Sequence, residues 1–384
     1  MVFSYGFRAF FASCALYAIV LMAGWIGVFT LGWPIAGSRP VAWHAHEMIY
    51  GMTVAAIAGF LLTAVPNWTK TERVHGSGLA TLWLAWAAAR LGYWLIDPAA
   101  AGPAAWSLVI VDLAFLPLLA IAVARPILAT GNRRNLIVVG LLVFLFATNL
   151  LHHSGQWTVR ANTLALDLIL ILMVVIAGRI TPLFTRGWLR GQALDESSVR
   201  SHVGLESIAI GLTVILALAA QLDLPMRWTG SIAIAAGLAH AARLAEWQGW
   251  SARREPLVWV LHPGYAWIVV ALLLRGLGLH SGAFAINAWM HALGVGAIGT
   301  LILGVMSRVS LGHSGRDLVM PRSGWLIFVL ISLAAIVRTA SAAGWVAREP
   351  ALLLAGIAWI GAFAHFALIF LPMLLSPRVD QRPG

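Results

Sequence analysis

Apolar residues run through this chain in twelve long blocks separated by short polar breaks. About 20 apolar helical residues are needed to cross the hydrocarbon of a bilayer. The blocks fall at 9–31, 43–65, 77–96, 104–124, 135–153, 161–179, 203–222, 228–246, 257–279, 283–307, 323–345 and 350–375. They predict an all-α polytopic membrane protein of about twelve transmembrane helices, forming a single integral-membrane domain over residues 1–384. The punctuation agrees: Gly32 to Pro40, Pro98 to Pro103, Arg125-Pro126, the polar run Thr185–Ser201 and Arg348-Glu349-Pro350. The first block is longer than a signal-peptide core and only Arg8 precedes it, so it reads as a retained helix.

Composition places the chain in the same class. It is 61% hydrophobic and 10% charged, against about 25% charged in soluble domains. The single cysteine, Cys14, excludes an intrachain disulfide, a C-x-x-C-H haem attachment, an iron–sulfur cluster and a Cys-rich zinc site. The net charge of +11 would suggest nucleic acid if the basic residues formed a patch. They are instead scattered through the short breaks, which points to membrane topology and away from nucleic acid.

That distribution sets an orientation. With the N-terminus inside, 18 of the 25 basic residues fall in cytoplasmic segments, five in outer loops and two, Arg90 and Arg338, within spans. The excess predicts both termini in the cytoplasm. Tryptophans near span ends, among them Trp43, Trp106, Trp157, Trp228, Trp289 and Trp325, read as an interfacial belt. Small residues four apart, such as Ala292, Gly296, Thr300 and Gly304, allow close helix packing.

Ionisable groups inside a membrane are expensive and mark functional sites by default. In this orientation His44, His46 and Glu47 open the second span on its outer side, His152 and His153 close the fifth there, and His291 lies in the outer half of the tenth. Three helices thus bring imidazoles to one leaflet, with His44, His46, His153 and His291 as candidate metal ligands. His44 and His46 sit about 200° apart on a helix, so they share an ion only if His44 precedes the first helical turn. Imidazoles suit copper, iron or zinc, and equally an axial position on haem. Aligning His46 with His291 brings Gly51 onto Gly296 and Gly59 onto Gly304, an echo between the two helices. Towards the cytoplasm, Arg179 and Arg308 stand at membrane depth where they could hold an anionic group such as a haem propionate. His262 and His313 lie on the same side. Asp112, Asp167, Glu206, Arg90 and Arg338 are in-span charges that need partners.

Several motifs together resemble the NnrS family of bacterial membrane proteins. They are Phe3-Ser4-Tyr5-Gly6-Phe7-Arg8, Trp43-His44-Ala45-His46-Glu47-Met48, the run Gly59 to Thr69, and Asn149-Leu150-Leu151-His152-His153. Gly178-Arg179-Ile180-Thr181-Pro182, Leu261-His262-Pro263-Gly264-Tyr265 and the stretch from His291 through Met306-Ser307-Arg308 to Arg316 follow in order. The resemblance implies a twelve-helix bacterial inner-membrane protein carrying haem b and copper and tied to nitric oxide and nitrosative stress. It places His44, His46, His153, His262 and His291 inside matched motifs. Three functions stay open on this reading: a non-catalytic haem and copper protein responding to nitric oxide, a membrane redox enzyme acting on nitric oxide, and a metal or haem transporter.

Overall fold

The computed structural model describes residues 1–35, 39–156, 158–282 and 287–380. Trp157 and the head of the predicted tenth span lie outside them. Among the described residues the secondary structure is helical, with no strand.

Among the described residues, twelve long helices follow the predicted blocks. They are α1 Gly6–Leu31, α2 Pro40–Thr69, α3 Gly76–Leu95, α4 Pro103–Ala129, α5 Arg133–His153, α6 Thr158–Gly191, α7 Val203–Gln221, α8 Met226–Ala245, α9 Pro256–Ser281, α10 Ala288–His313, α11 Trp325–Ala342 and α12 Arg348–Leu375. Ten of them are long and apolar enough to cross a membrane. The other two, α3 and α8, cover the predicted spans 77–96 and 228–246 but carry Arg90, and His240 with Arg243, which dilute their apolar character.

Helix ends follow local chemistry. Gly32 closes α1 at φ +64°, its N–H reaching Gly27 O, a left-handed position that glycine adopts without strain. Pro40 starts α2 at a first-turn position, where its missing N–H costs nothing. Three predicted ends are overrun. α4 runs through Pro126 to Ala129, α6 through Pro182 to Gly191, and α2 through Pro66 to Thr69. Near Pro182 and Pro66, Thr185 Oγ1 donates to Thr181 O at 2.8 Å and Asn67 Nδ2 to Thr63 O at 2.9 Å; each proline removes only the one bond to the carbonyl four residues earlier.

α2 and α10 share an irregularity. Each contains a π-helical segment, Glu47–Thr53 in α2 and Ala292–Gly299 in α10. Each segment begins at the residue after the aligned histidine, His46 or His291. Wide turns of this kind recur at functional sites because they re-aim side chains within a continuous helix. The echo read from sequence therefore extends to the backbone.

The packing divides into two compact units. The first holds Met1–Leu168, Val309–Asp317 and the chain from Phe366; the second holds Ile169–Arg308 and Leu318–His365. The first is built on α1 to α5. Gly59 lets Phe11 of α1 lie against α2, since a Cβ there would stand 2.6 Å from the Phe11 ring. The second is built on α7 to α11. Tryptophan placement is mixed: Trp106, Trp228 and Trp325 are exposed as an interfacial belt requires, whereas Trp43 and Trp289 are buried. Trp43 donates from Nε1 to Tyr93 O at 3.1 Å, tying α2 to α3.

Candidate metal centre

In the first unit α2, α3, α4 and α5 converge on a buried polar group. His46 comes from α2, Tyr93 and Arg90 from α3, Asp112 from α4, and Asn149 and His153 from α5. Asn149 and His153 are four apart and share one face of α5. His152 lies off that face and pairs its Nδ1 with Asn162 Oδ1 at 2.9 Å. His46, Glu47, Asp112 and Asn149 are all buried, as is Arg90.

The distances describe a cluster of donors facing one point. Asp112 Oδ2 lies 3.2 Å from His46 Nε2 and 3.0 Å from His153 Nε2. One ligand atom from each of the three residues falls within 4.8 Å of the others. A tetrahedral ion with bonds of about 2.0–2.1 Å needs its donors about 3.3 Å apart, so the contacts through Asp112 match that spacing. Tyr93 OH sits 3.1 Å from His46 Nε2 and 3.2 Å from His153 Nε2, and its ring stacks on His46 at 4.4 Å.

A second layer fixes the first. Glu47 Oε1 accepts from His46 Nδ1 at 2.8 Å, the carboxylate–imidazole pairing that orients metal-binding histidines and leaves Nε2 facing inward. Arg90 bridges the two carboxylates: Nη1 donates to Glu47 Oε1 at 2.7 Å and Nη2 to Asp112. Tyr17 OH donates to Glu47 Oε2, and Asn149 Nδ2 to Asp112 Oδ2 at 2.8 Å. Asn149 Oδ1 then points at His46 Nε2, 3.0 Å away. The glycine of the π segment makes room for this layer. A Cβ on Gly51 would stand 2.8 Å from the Tyr17 ring, 3.1 Å from Arg90 Nη1 and 3.2 Å from Glu47 Oε2.

Two electrostatic consequences follow. With both histidines neutral, Glu47 and Asp112 carry two negative charges and Arg90 one positive, so the group is one positive charge short of neutral. With Nδ1–H given to Glu47, the inner edge presents His46 Nε2, Asp112 Oδ2, Asn149 Oδ1 and His153 as converging acceptors. Burying acceptors together is costly without a positive partner between them. A proton or a metal ion satisfies that requirement. Above the group a small cavity of about 70 Å³, lined in part by Trp43, Tyr93, Asp97, His152 and His153, marks the approach.

The model of the NnrS family, described as NnrS protein, matches residues 1–378. The chain belongs to the NnrS family. No curated protein matches its sequence. His46, Glu47, Asn149 and His153 of the group lie within the motifs Trp43 to Met48 and Asn149 to His153; Arg90, Tyr93 and Asp112 lie outside them.

The other anticipated residues are distributed as follows. His44 does not join His46. Pro40 has already begun the helix, so the two imidazoles point to different sides, and the His44 ring stacks on Trp25 at 4.0 Å. His291 lies in the second unit, where its Nε2 accepts from Arg338 Nη2 at 2.8 Å. His262 and Arg308 meet neighbouring residues of α6: His262 Nε2 is 3.3 Å from Thr185 Oγ1, and the Arg308 guanidinium lies 4.1 Å over the Phe184 ring. Arg179 is half-buried on the same helix. His313 ends α10 within the first unit, its ring 5.7 Å from that of Phe7, and is helical where a loop was expected. Asp112 is the member of the group that the histidine pattern did not single out. Its signal was the cost of a carboxylate at membrane depth.

The second unit contains a separate buried network. Arg243 donates to Glu206 Oε1 at 2.8 Å, to Val174 O at 2.9 Å and to Tyr265 OH at 3.0 Å. Because Arg243 only donates, Tyr265 gives its own proton to His240 Nδ1 at 2.7 Å, and His240 Nε2–H donates to Thr213 Oγ1 at 2.9 Å. This chain is satisfied throughout and supplies no converging acceptors. It reads as structural.

Proposed function

We propose that this NnrS protein is a twelve-span inner-membrane protein with both termini in the cytoplasm, acting in the response to nitric oxide and binding copper through His46, His153 and Asp112. The observation that carries the reading is the buried, preassembled set of two imidazoles and one carboxylate, held by Glu47, Arg90 and Asn149 and lacking one positive charge. Two imidazoles favour copper, iron or zinc over calcium or magnesium. A copper ion supplies a site that takes a small ligand such as nitric oxide and exchanges one electron.

The protein's own groups set the terms of that chemistry. Glu47 accepts from His46 Nδ1 and directs Nε2 inward. Arg90 and Asn149 hold Asp112 in place. Tyr93 OH, within hydrogen-bond reach of both histidines, offers a proton donor beside the site. The cavity above the group, at about 70 Å³, is far below the roughly 300–1,000 Å³ of pockets that enclose drug-sized ligands. It admits an ion or a diatomic molecule and not a macrocycle.

Haem b enters through the family resemblance, with His262, Arg179, Arg308 and His313 as its proposed contacts. The His262 ring is closely packed: a Cβ on Gly249 would stand 2.4 Å from its Cδ2, and Thr185 meets its Nε2. That packing fits a buried structural histidine better than an axial ligand. His44, stacked on Trp25, and His291, bonded to Arg338, stand outside this ligand set.

Copper retention tests the assignment. Wild-type protein purified without chelating tags and loaded with copper should keep about one ion per chain after desalting. His46→Ala, His153→Ala and Asp112→Asn should each lose it while remaining folded in the membrane. Full retention by all three would refute the site.

A further inference from the structure

A cavity of about 700 Å³ opens in the first unit and shares no lining residue with the metal group. It lies where the C-terminal ends of α2 and α4 meet the start of α3 and the loop between α2 and α3. Its apolar walls come from within the helices, with Leu62, Leu82, Leu118 and Ile121 among them. Leu118 and Ile121 are exposed, so the apolar side opens towards the bilayer. Its charged lining comes from the helix ends: Glu72, Arg73, His75 and Arg125.

Two features define what the polar end would bind. First, the lining holds two arginines and a single carboxylate, Glu72, whose Oε1 is 3.1 Å from His75 Nε2. The end therefore carries a surplus positive charge. Arg73 is held in position by the Tyr5 ring, 4.0 Å from its guanidinium. Second, Pro66 and Pro126 both line the cavity, and so do Leu62 and Ala122, the residues four earlier. Proline has no N–H, so the carbonyls of Leu62 and Ala122 lack their helical donor. The same loop borders an adjoining hollow of about 330 Å³ lined by Ser4, Asn67 and Thr71, which adds polar room.

We propose that this cavity binds a phospholipid whose headgroup carries one negative charge and free hydroxyls, the phosphatidylglycerol class. The phosphodiester neutralises the surplus arginine charge, the glycerol hydroxyls donate to the proline-freed carbonyls, and an acyl chain lies along Leu118 and Ile121. A zwitterionic headgroup brings its own cation to the arginines and offers no hydroxyl donor.

Native mass spectrometry of the full chain released from micelles tests this, using phosphatidylglycerol and phosphatidylcholine of equal chain length in competition. The wild type should retain phosphatidylglycerol preferentially. Arg73→Gln and Arg125→Gln should each reduce the preference by about fivefold, the weight of one basic residue at an anionic lipid, and the double variant should abolish it. Glu72→Gln, which removes only the opposing charge, should raise it and keeps the test open if an arginine variant misfolds. Water-soluble glycerol 3-phosphate should not displace the lipid. Equal retention of the two lipids by the wild type, an unchanged preference in the folded double variant, or displacement by glycerol 3-phosphate would overturn the proposal.

Discussion

Replacing Arg90 with methionine removes the one cation between two buried carboxylates. Arg90 donates to Glu47 at 2.7 Å and also to Asp112, and these three side chains are at most 5% exposed. Methionine keeps the length and apolar stem but leaves Glu47 and Asp112 buried with no counter-charge. Breaking a buried pair on one side costs about 3–5 kcal/mol, or roughly two to four powers of ten in the folded-to-unfolded ratio. Much of that cost comes from the carboxylates left behind, not from the lost attraction. The triple variant Arg90→Met, Glu47→Gln, Asp112→Asn removes all three charges and should recover most of the stability without recovering metal. Denaturant titration in mixed micelles, followed by tryptophan fluorescence, reads both. Arg90→Met should unfold at clearly lower denaturant than the wild type, and the triple variant close to it. A single variant as stable as the wild type would show that Arg90 does not hold the carboxylates, and the account of the second layer would fail.

Gly51→Ala places a methyl within 2.8 Å of the Tyr17 ring and 3.1 Å of Arg90 Nη1; copper affinity should fall about 10–100-fold, as for other outer-layer changes, and unchanged affinity in a titration would count against the packing described. Tyr265→Phe removes the proton that reaches His240 Nδ1 and the acceptor of Arg243, and should cost about 1–3 kcal/mol with copper content unaltered; a loss of copper would mean the second network is not merely structural. His44→Ala should retain copper, since its ring faces Trp25; loss of the ion in folded protein would restore it as a ligand. Reporter fusions should place the loop 192–202 in the cytoplasm and the loop 97–102 outside, and the reverse would invert the orientation read from the arginines.

Much of the helical plan was legible because hydrocarbon imposes length and apolarity directly on sequence. The limits appeared where local polar chemistry intervened. Pro66 and Pro182 fall just past the predicted span ends at 65 and 179, yet the helices continue through both. Arg90 and Asp112 were visible as in-span charges in need of partners, but pairing across α3 and α4 depends on helix rotation, which a uniformly apolar span does not reveal. The histidines were legible as a class and less so individually. Whether His44 or His46 faces inward turns on where α2 begins, and His153 is selected over His152 because it shares a face with Asn149. Asp112 joined the site only when four helices were packed.

The central claim is the ligand set, and X-ray absorption at the copper edge of the loaded protein tests it most directly. The account predicts two imidazole nitrogens and one carboxylate oxygen on a single ion, and no bound copper to measure in His153→Ala. A sulfur donor, or a copper spectrum with no imidazole scattering, would contradict it.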